Sequence, residues 1–414
     1  MVSQTGGTVI LNNADHLVGS IKNGEQIREL IGNVEMQQGN VTLKCDHAIQ
    51  YFESNKIEVL GNVSVYQDTL FLFCQNASYY ANTRTTVSPT KVKLTDGHLT
   101  LIANSGNYNA DLKQAQFFGA VEVKDIGNTI LSDTLLYHRD SSKLFCYSNV
   151  KVLSPENKSI AFGDTLQYYR ESRLSILTGD PEVLFIDTTK NINYIDSVLV
   201  DTMVVIDTLF LKGQTLISDN IEKLIVANDS VKLFRSDFSL SSNNLNYFVN
   251  DSIIVVEGSP VMWYENNQLT SDSMTIFLVE KSVKSITASK NGFLLSFVDS
   301  LYKDTYNQMM GDTIIIFFTK NRLDSSVSDG KAIALYYIID SSGISGAYKS
   351  MGDRIKIESE DNKVKRVKVY YGIDDTYYPN NMIVGNENLY NLPRFKIIKE
   401  RPNREDYYKF KERD

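Results

Sequence analysis

One seven-residue phrase recurs along this chain, and that recurrence restricts its fold more than any other property. Leu30-Ile31-Gly32-Asn33-Val34-Glu35-Met36 returns as Val59-Leu60-Gly61-Asn62-Val63-Ser64-Val65, a step of 61 − 32 = 29 in sequence number. Phe117-Phe118-Gly119-Ala120-Val121-Glu122-Val123 follows at a step of 119 − 61 = 58, two periods on, with a degenerate copy around Ser88-Pro89 between them. Tyr147-Ser148-Asn149-Val150-Lys151-Val152, Leu177-Thr178-Gly179-Asp180-Pro181-Glu182-Val183 and Glu257-Gly258-Ser259-Pro260-Val261-Met262 carry the phrase onward. A fixed period of roughly 20–50 residues marks a stacked-repeat architecture. Each copy has a two-residue turn signal followed by alternating apolar residues. Glycine supplies a positive φ, and the alternation sets Val63 and Val65 on one strand face. The unit reads as strand, tight turn, strand, and it can bury its apolar face only by stacking on its neighbours.

A second motif alternates with the first: apolar, any residue, small, Asp or Asn, then Tyr shortly after. It is seen at Asp46 with Tyr51, Asn76 with Tyr79 or Tyr80, Asn104 with Tyr108, Asp133 with Tyr137 and Asp164 with Tyr168. Short polar side chains at such ladder positions cap bends, so these acids read as structural and not catalytic. The period breaks over 185–224, which reads as an extra hairpin or elongated rung and as the natural internal boundary. From Tyr306 the spacing lengthens, and the step from Met310-Gly311-Asp312 to Met351-Gly352-Asp353 is 353 − 312 = 41. The segments are then a lead-in strand over 1–16, repeats over 17–184, the insertion over 185–224, longer-looped repeats over 225–378, and a tail over 379–414. Residues 394–414 hold eight Lys/Arg against five Asp/Glu, with Pro393 and Pro402 breaking the pattern, and read as flexible or ordered by a partner.

Composition fits this picture. Proline is scarce, at 7 residues in 414, and the β-branched and aromatic residues suit pleated strands. A net charge of −8 argues against a nucleic-acid partner, which requires a basic footprint. The chain starts without a signal peptide, which leaves a cytosolic protein or a processed one equally open. Cys45 and Cys74 stand one period apart (74 − 45 = 29), so they are either buried small residues or a disulfide between rungs. His16, His47, His98 and His138 lack metal-ligand spacing, and no nucleophile elbow, phosphate loop or dinucleotide fingerprint is present. No catalytic residue, metal site or cofactor is expected.

The alternation of Gly32-Asn33-Val34 and Gly61-Asn62-Val63 with Leu131-Ser132-Asp133 and Tyr137 resembles the OstA/LptA-type lipopolysaccharide-transport proteins. The Gly-Asp-Thr-Ile repeats and the tail from Leu392-Pro393-Arg394-Phe395 resemble most the OstA-like proteins of Bacteroidetes. The likeness runs over about 17–378. The chain is longer than the family's short periplasmic bridge, and it lacks the long run of membrane-barrel strands of the outer-membrane member. The resemblance implies an elongated, twisted open β-jellyroll, V-shaped, with an apolar inner groove for lipid A acyl chains. It implies a periplasmic, non-enzymatic carrier or bridge. Its partners would be lipopolysaccharide or a related glycolipid, itself or other transport components joined end to end by strand pairing, and an outer-membrane translocon. The groove lining would be Val34, Met36, Leu43, Val63, Val65, Leu72, Val121, Val123, Leu131, Val150, Val152, Val183, Val261 and Trp263. The alternative is that these residues fill a dry core and the protein is an adaptor or plug without lipid cargo. Strand pairing is expected near Thr8–Leu11 and near Val364–Tyr371, where terminal rungs leave an edge.

Overall fold

The computed structural model of the chain describes residues 8–195, 198–279, 282–298, 305–319, 322–340, 343–360 and 363–407, with the backbone alone over 187–207. Within them the chain is almost entirely β: thirty antiparallel strands, one short helix at Asn380–Ile383 and two single 3-10 turns. The expected all-β class is borne out. Two compact units divide at Pro181 and Glu182, just before the expected insertion.

In the first unit each repeat supplies two long antiparallel strands. Glu25–Gln38 pairs along its whole length with Val41–Tyr51, and the register slips once, between Ile31 and Val34. That slip is the Gly-Asn phrase, with φ of 76° at Gly32 and 44° at Asn33. The phrase is therefore a corner inside a continuous strand, a bulge that bends it from one sheet face to the next. The reversals of direction lie elsewhere, at Gly39-Asn40 and Asp68-Thr69. Each long strand has one half in one arm and its other half in a second arm, and the corners join the arms. In the degenerate repeat the chain breaks at the corners into Thr85–Ser88, Val92–Thr95, Thr100–Ala103 and Ser105–Asn109, each in one arm.

The two sequence motifs meet at these corners. Asn62 Nδ2 donates to Asp46 Oδ2 at 2.8 Å, Asn33 to Asp15 at 2.9 Å and Asn149 to Asp133 at 2.6 Å. The Asp of one strand lies over the Gly of the next: a Cβ on Gly61 would stand 2.5 Å from Asp46 Oδ2, and one on Gly179 would stand 2.5 Å from Asp164 Cβ. The acids are half of a corner.

In the second unit the irregular stretch forms a long hairpin, Glu182–Ile195 with Val198–Lys212. The longer repeats use the same corner with longer strands. Asp312 covers Gly330, and the Asp353 N–H donates to the Tyr371 carbonyl at 3.0 Å. One inner-facing line crosses Val183, Leu211, Leu233, Leu240, Met262 and Leu269 in register.

The tail packs on this unit. Residues 380–407 run across the outer face of the arm that holds Trp263, Leu295 and Leu335. Gln268 donates to the Lys396 carbonyl at 2.8 Å and accepts from the Ile398 N–H at 2.8 Å. Gln308 holds the Leu392 N–H at 2.8 Å in the same way. Trp263 Nε1 donates to the Ile398 carbonyl at 3.3 Å, and Lys232 pairs with Asp406 at 2.9 Å. Ile383, Leu392 and Tyr407 are buried, Tyr407 against Phe210 at 5.1 Å between ring centres. The high charge of the segment reads as flexibility because its few apolar anchors are widely spaced. Residues 408–414 lie outside the described range.

Candidate functional site

The interior of the first unit is a pair of apolar sheet faces. In one arm a single row of side chains crosses ten strands in register: Met36, Leu43, Val65, Leu72, Leu94, Leu101, Val123, Ile130, Val152 and Ala161. A second row nearer the corners holds Val34 opposite Cys45, Val63 opposite Cys74, Val121 opposite Ser132 and Val150 opposite Gly163. The facing arm contributes Leu30, Ala48, Val59, Phe117, Leu135, Cys146 and Leu166, all buried. Ten of the expected lining residues of this unit thus share one inner face, though Val152 is only half-buried. Leu131 does not share it. It stands opposite Glu122 and Lys151 on the outer face, and Ile130 takes the inner place.

The second unit gives a mixed result. Val183 is on the inner face, in line with Leu211 and Met262. Val261 and Trp263 are buried but alternate with Met262, and Trp263 shares its row with Ser239, Phe234 and Phe210 beneath the tail. All four residues of Val261–Tyr264 are buried because both faces of this strand are covered, which erases the alternation that reveals facing.

The interior is filled by these side chains. A cavity of about 10 Å³ lies among Met36, Leu43, Ile57 and Tyr79, and one of about 40 Å³ in the second unit among Leu294, Met309, Leu323 and Ile357. The first is at the limit of room for one water molecule.

Away from the corners the two arms of the first unit meet at a mouth. Among the described residues of this unit no strand pairing crosses it, and side chains bridge it instead. Tyr79 Oη donates to Gln38 Oε1 at 2.6 Å, Tyr108 Oη donates to Gln67 Oε1, and Tyr168 Oη donates to Asp125 Oδ2 at 3.0 Å. Tyr137 Oη lies 3.5 Å from Asp96 Oδ2. Gln38 and Gln67 also donate to the carbonyls of Ala81 and Ala110, each at 3.1 Å. Farther along, Arg170 replaces these carbonyl contacts. Its guanidinium bonds Asp96 at 3.0 Å and both oxygens of Asp125 at 3.2 Å. The side chains of Arg170 and Asp125 are 13% and 1% exposed, so this pair is taken out of water.

Residues 7–162 match the family model described as OstA-like protein. They form an OstA-like domain. LptH, the LptA-homologous periplasmic component of the lipopolysaccharide transport device of Pseudomonas aeruginosa, is a similar solved structure. It is 15% identical with a TM-score of 0.28, and the match covers 34% of this chain and 95% of LptH. No curated protein matches the chain.

The seam of the OstA-like domain has its own electrostatics. Burial pushes the phenols of Tyr79, Tyr108 and Tyr137 upward, so all three stay protonated donors. Burial works to raise the Asp96 carboxyl, but the Leu99 and His98 N–H groups and Arg170 outweigh it and hold it below the usual carboxylate range. A carboxylate with a lowered folded pKa contributes stability that is complete above its unfolded value and lost as pH falls through the folded one. Unfolding free energy is therefore expected to decline below about pH 4, with Asp96→Asn flattening part of that decline in acid titrations followed by circular dichroism.

The three cysteines are free and buried, so of the two readings for Cys45 and Cys74 the structure has the small buried residues. Burial first of all pushes the Cys45 thiol to about 11 and the Cys146 thiol to about 12. All three are expected to resist maleimide in the native state and to react in denaturant, as read by mass spectrometry.

Sequence reasoning marked the seam tyrosines but missed their partners. Gln38, Gln67, Asp96 and Asp125 recur at one-period steps (67 − 38, 96 − 67 and 125 − 96 are all 29), a signal as regular as the glycine phrase.

Proposed function

We propose that this chain is a non-enzymatic periplasmic carrier, or one segment of a bridge, that shelters the acyl chains of lipopolysaccharide between the two arms of its OstA-like domain. The observation that carries this reading is the inner row from Met36 to Ala161, which crosses ten strands without a polar side chain. At about 4.8 Å per strand it runs for roughly 43 Å. Acyl chains require no directional chemistry, since each buried methylene contributes about 0.8 kcal/mol. The family match over 7–162 supports the same reading.

Transfer along such a bridge requires chain ends that pair. The strand His16–Lys22 is exposed along its length, with Leu17, Val18 and Ile21 open to solvent, and its described partner is the strand Glu25–Gln38 on one side. Lys363–Tyr370 pairs with Gly343–Glu360 and has a second free edge among the described residues. These edges suit end-to-end strand addition to a second copy, another transport component or an outer-membrane translocon.

A diazirine residue placed at Val63, with Ser64 on the opposite face as control, tests the cargo. Crosslinking of lipopolysaccharide at Val63 and not at Ser64 is the expected result. No crosslink at Val63, nor at Val65 or Val121, would leave an adaptor that docks by strand addition without lipid.

A further inference from the structure

We propose that the tyrosine seam is the side entrance of the groove, and that it opens from its neutral end at Gln38 and Tyr79. The inference rests on the lipid reading above and adds where and how the cargo enters.

The inner row from Met36 to Ile130 is closed to an acyl chain as it stands, since each of its side chains is 3% exposed or less. Loading must therefore part the arms. The corner side resists, because the chain itself passes from arm to arm there, within the long strands or between the short ones. At the mouth, side chains alone hold the arms together among the described residues, so that side yields first.

The seam is chemically graded. Its first half is amide to phenol and amide to carbonyl, at Gln38 with Tyr79 and Gln67 with Tyr108. Its second half is carboxylate to guanidinium, where Arg170 gathers Asp96 and Asp125. Bonds with an ionised partner are roughly twice as strong as neutral ones. Arg84 and Arg139 also reach across the mouth, Arg84 onto exposed Asn40 and, at a long 3.5 Å, the Gln38 carbonyl, and Arg139 onto exposed Asp68. Neither meets a buried carboxylate, and contacts to exposed partners contribute little. The weak half faces the N-terminal strands and the strong half acts as the hinge. Once parted, the phenols and amides form a hydrogen-bonding rim at the level where the sugar part of an amphiphile would leave the groove.

Cysteine pairs in the exposed loops on either side of the mouth test this in the full chain, bridged by a bis-maleimide with an internal disulfide. Asn40→Cys with Thr83→Cys ties the neutral end, and Ile126→Cys with Glu171→Cys ties the ionic end. Thr83, Ile126 and Glu171 make no seam bond, whereas Asn40 accepts from Arg84 and Gln67, so the unbridged double-cysteine variant is the reference for each pair. The native thiols are buried. The readout is the uptake rate of fluorescently labelled lipopolysaccharide. The neutral-end bridge is expected to slow uptake tenfold or more, the ionic-end bridge less than twofold, and dithiothreitol to restore the rate. Uptake unchanged by the neutral-end bridge overturns the side entrance while the carrier reading stands. Slowing by the ionic-end bridge alone overturns the direction of opening. If the unbridged protein takes up no lipopolysaccharide, the carrier reading fails, and the entrance with it.

Discussion

Replacing Arg170 by methionine is expected to destabilise the protein by about 3–5 kcal/mol, the range for breaking a buried ion pair by removing one partner. The guanidinium is the shared partner of two carboxylates, at 3.0 Å and 3.2 Å, and the Asp125 side chain is 1% exposed. Methionine keeps much of the side-chain volume but leaves Asp125 with the neutral Tyr168 hydroxyl as its donor. The unpaired charge, and not a cavity, then dominates the cost. Adding Asp125→Asn to the methionine variant should recover much of the loss, because the buried group no longer carries charge. Urea unfolding of both single variants and the double variant closes the cycle. Equal losses in Arg170→Met with and without Asp125→Asn would show that packing alone is at stake.

Gly61→Val is expected to cost about 3–4 kcal/mol, combining strained backbone and overpacking. Gly61 has a φ of 73°, a region closed to β-branched residues, and its missing Cβ faces Asp46 Oδ2 at 2.5 Å. Asp46→Ala in the same chain should relieve the clash but not the backbone strain, so rescue is expected to be partial. Full rescue would mean that the corner tolerates valine and that the glycine is needed only for room. Exposed Gly97 is the useful contrast: it too has a positive φ, of 94°, but nothing lies within 4 Å of its would-be Cβ.

The fold was legible because the corner chemistry repeats. Gly32-Asn33 and Gly61-Asn62 announce positive φ at a fixed interval, and the residues two and four places on, Val34 and Met36 or Val63 and Val65, turn inward every time. A tight reversal and a corner demand the same backbone, so the phrase alone could not tell them apart. The distinguishing sign was the second set of turn residues, Gly39-Asn40 and Asp68-Thr69, seven residues after the glycine of each phrase (39 − 32 and 68 − 61). Facing was legible where apolar and polar residues alternate. It was lost at Ile130-Leu131 and Met262-Trp263, where two apolar neighbours offer equal claims. The seam was hard to see for another reason. Gln38 and Tyr79 are distant in sequence, in strands that never pair, and only the interior they close gives them a common purpose.

In the OstA-like domain each strand leans mainly on its immediate neighbours, an arrangement that lets terminal strands open independently of those deeper in the stack. The tail of the second unit changes that rule. Running from Leu392 at Gln308, past Gln268 and Trp263, to Tyr407 at Phe210, it ties strands that are far apart in the stacking order to one thread. Local fraying is thereby coupled to loss of the whole belt. Amide hydrogen exchange in the second unit should then approach a single cooperative opening, whereas the OstA-like domain should show protection that climbs strand by strand from His16–Lys22 inward.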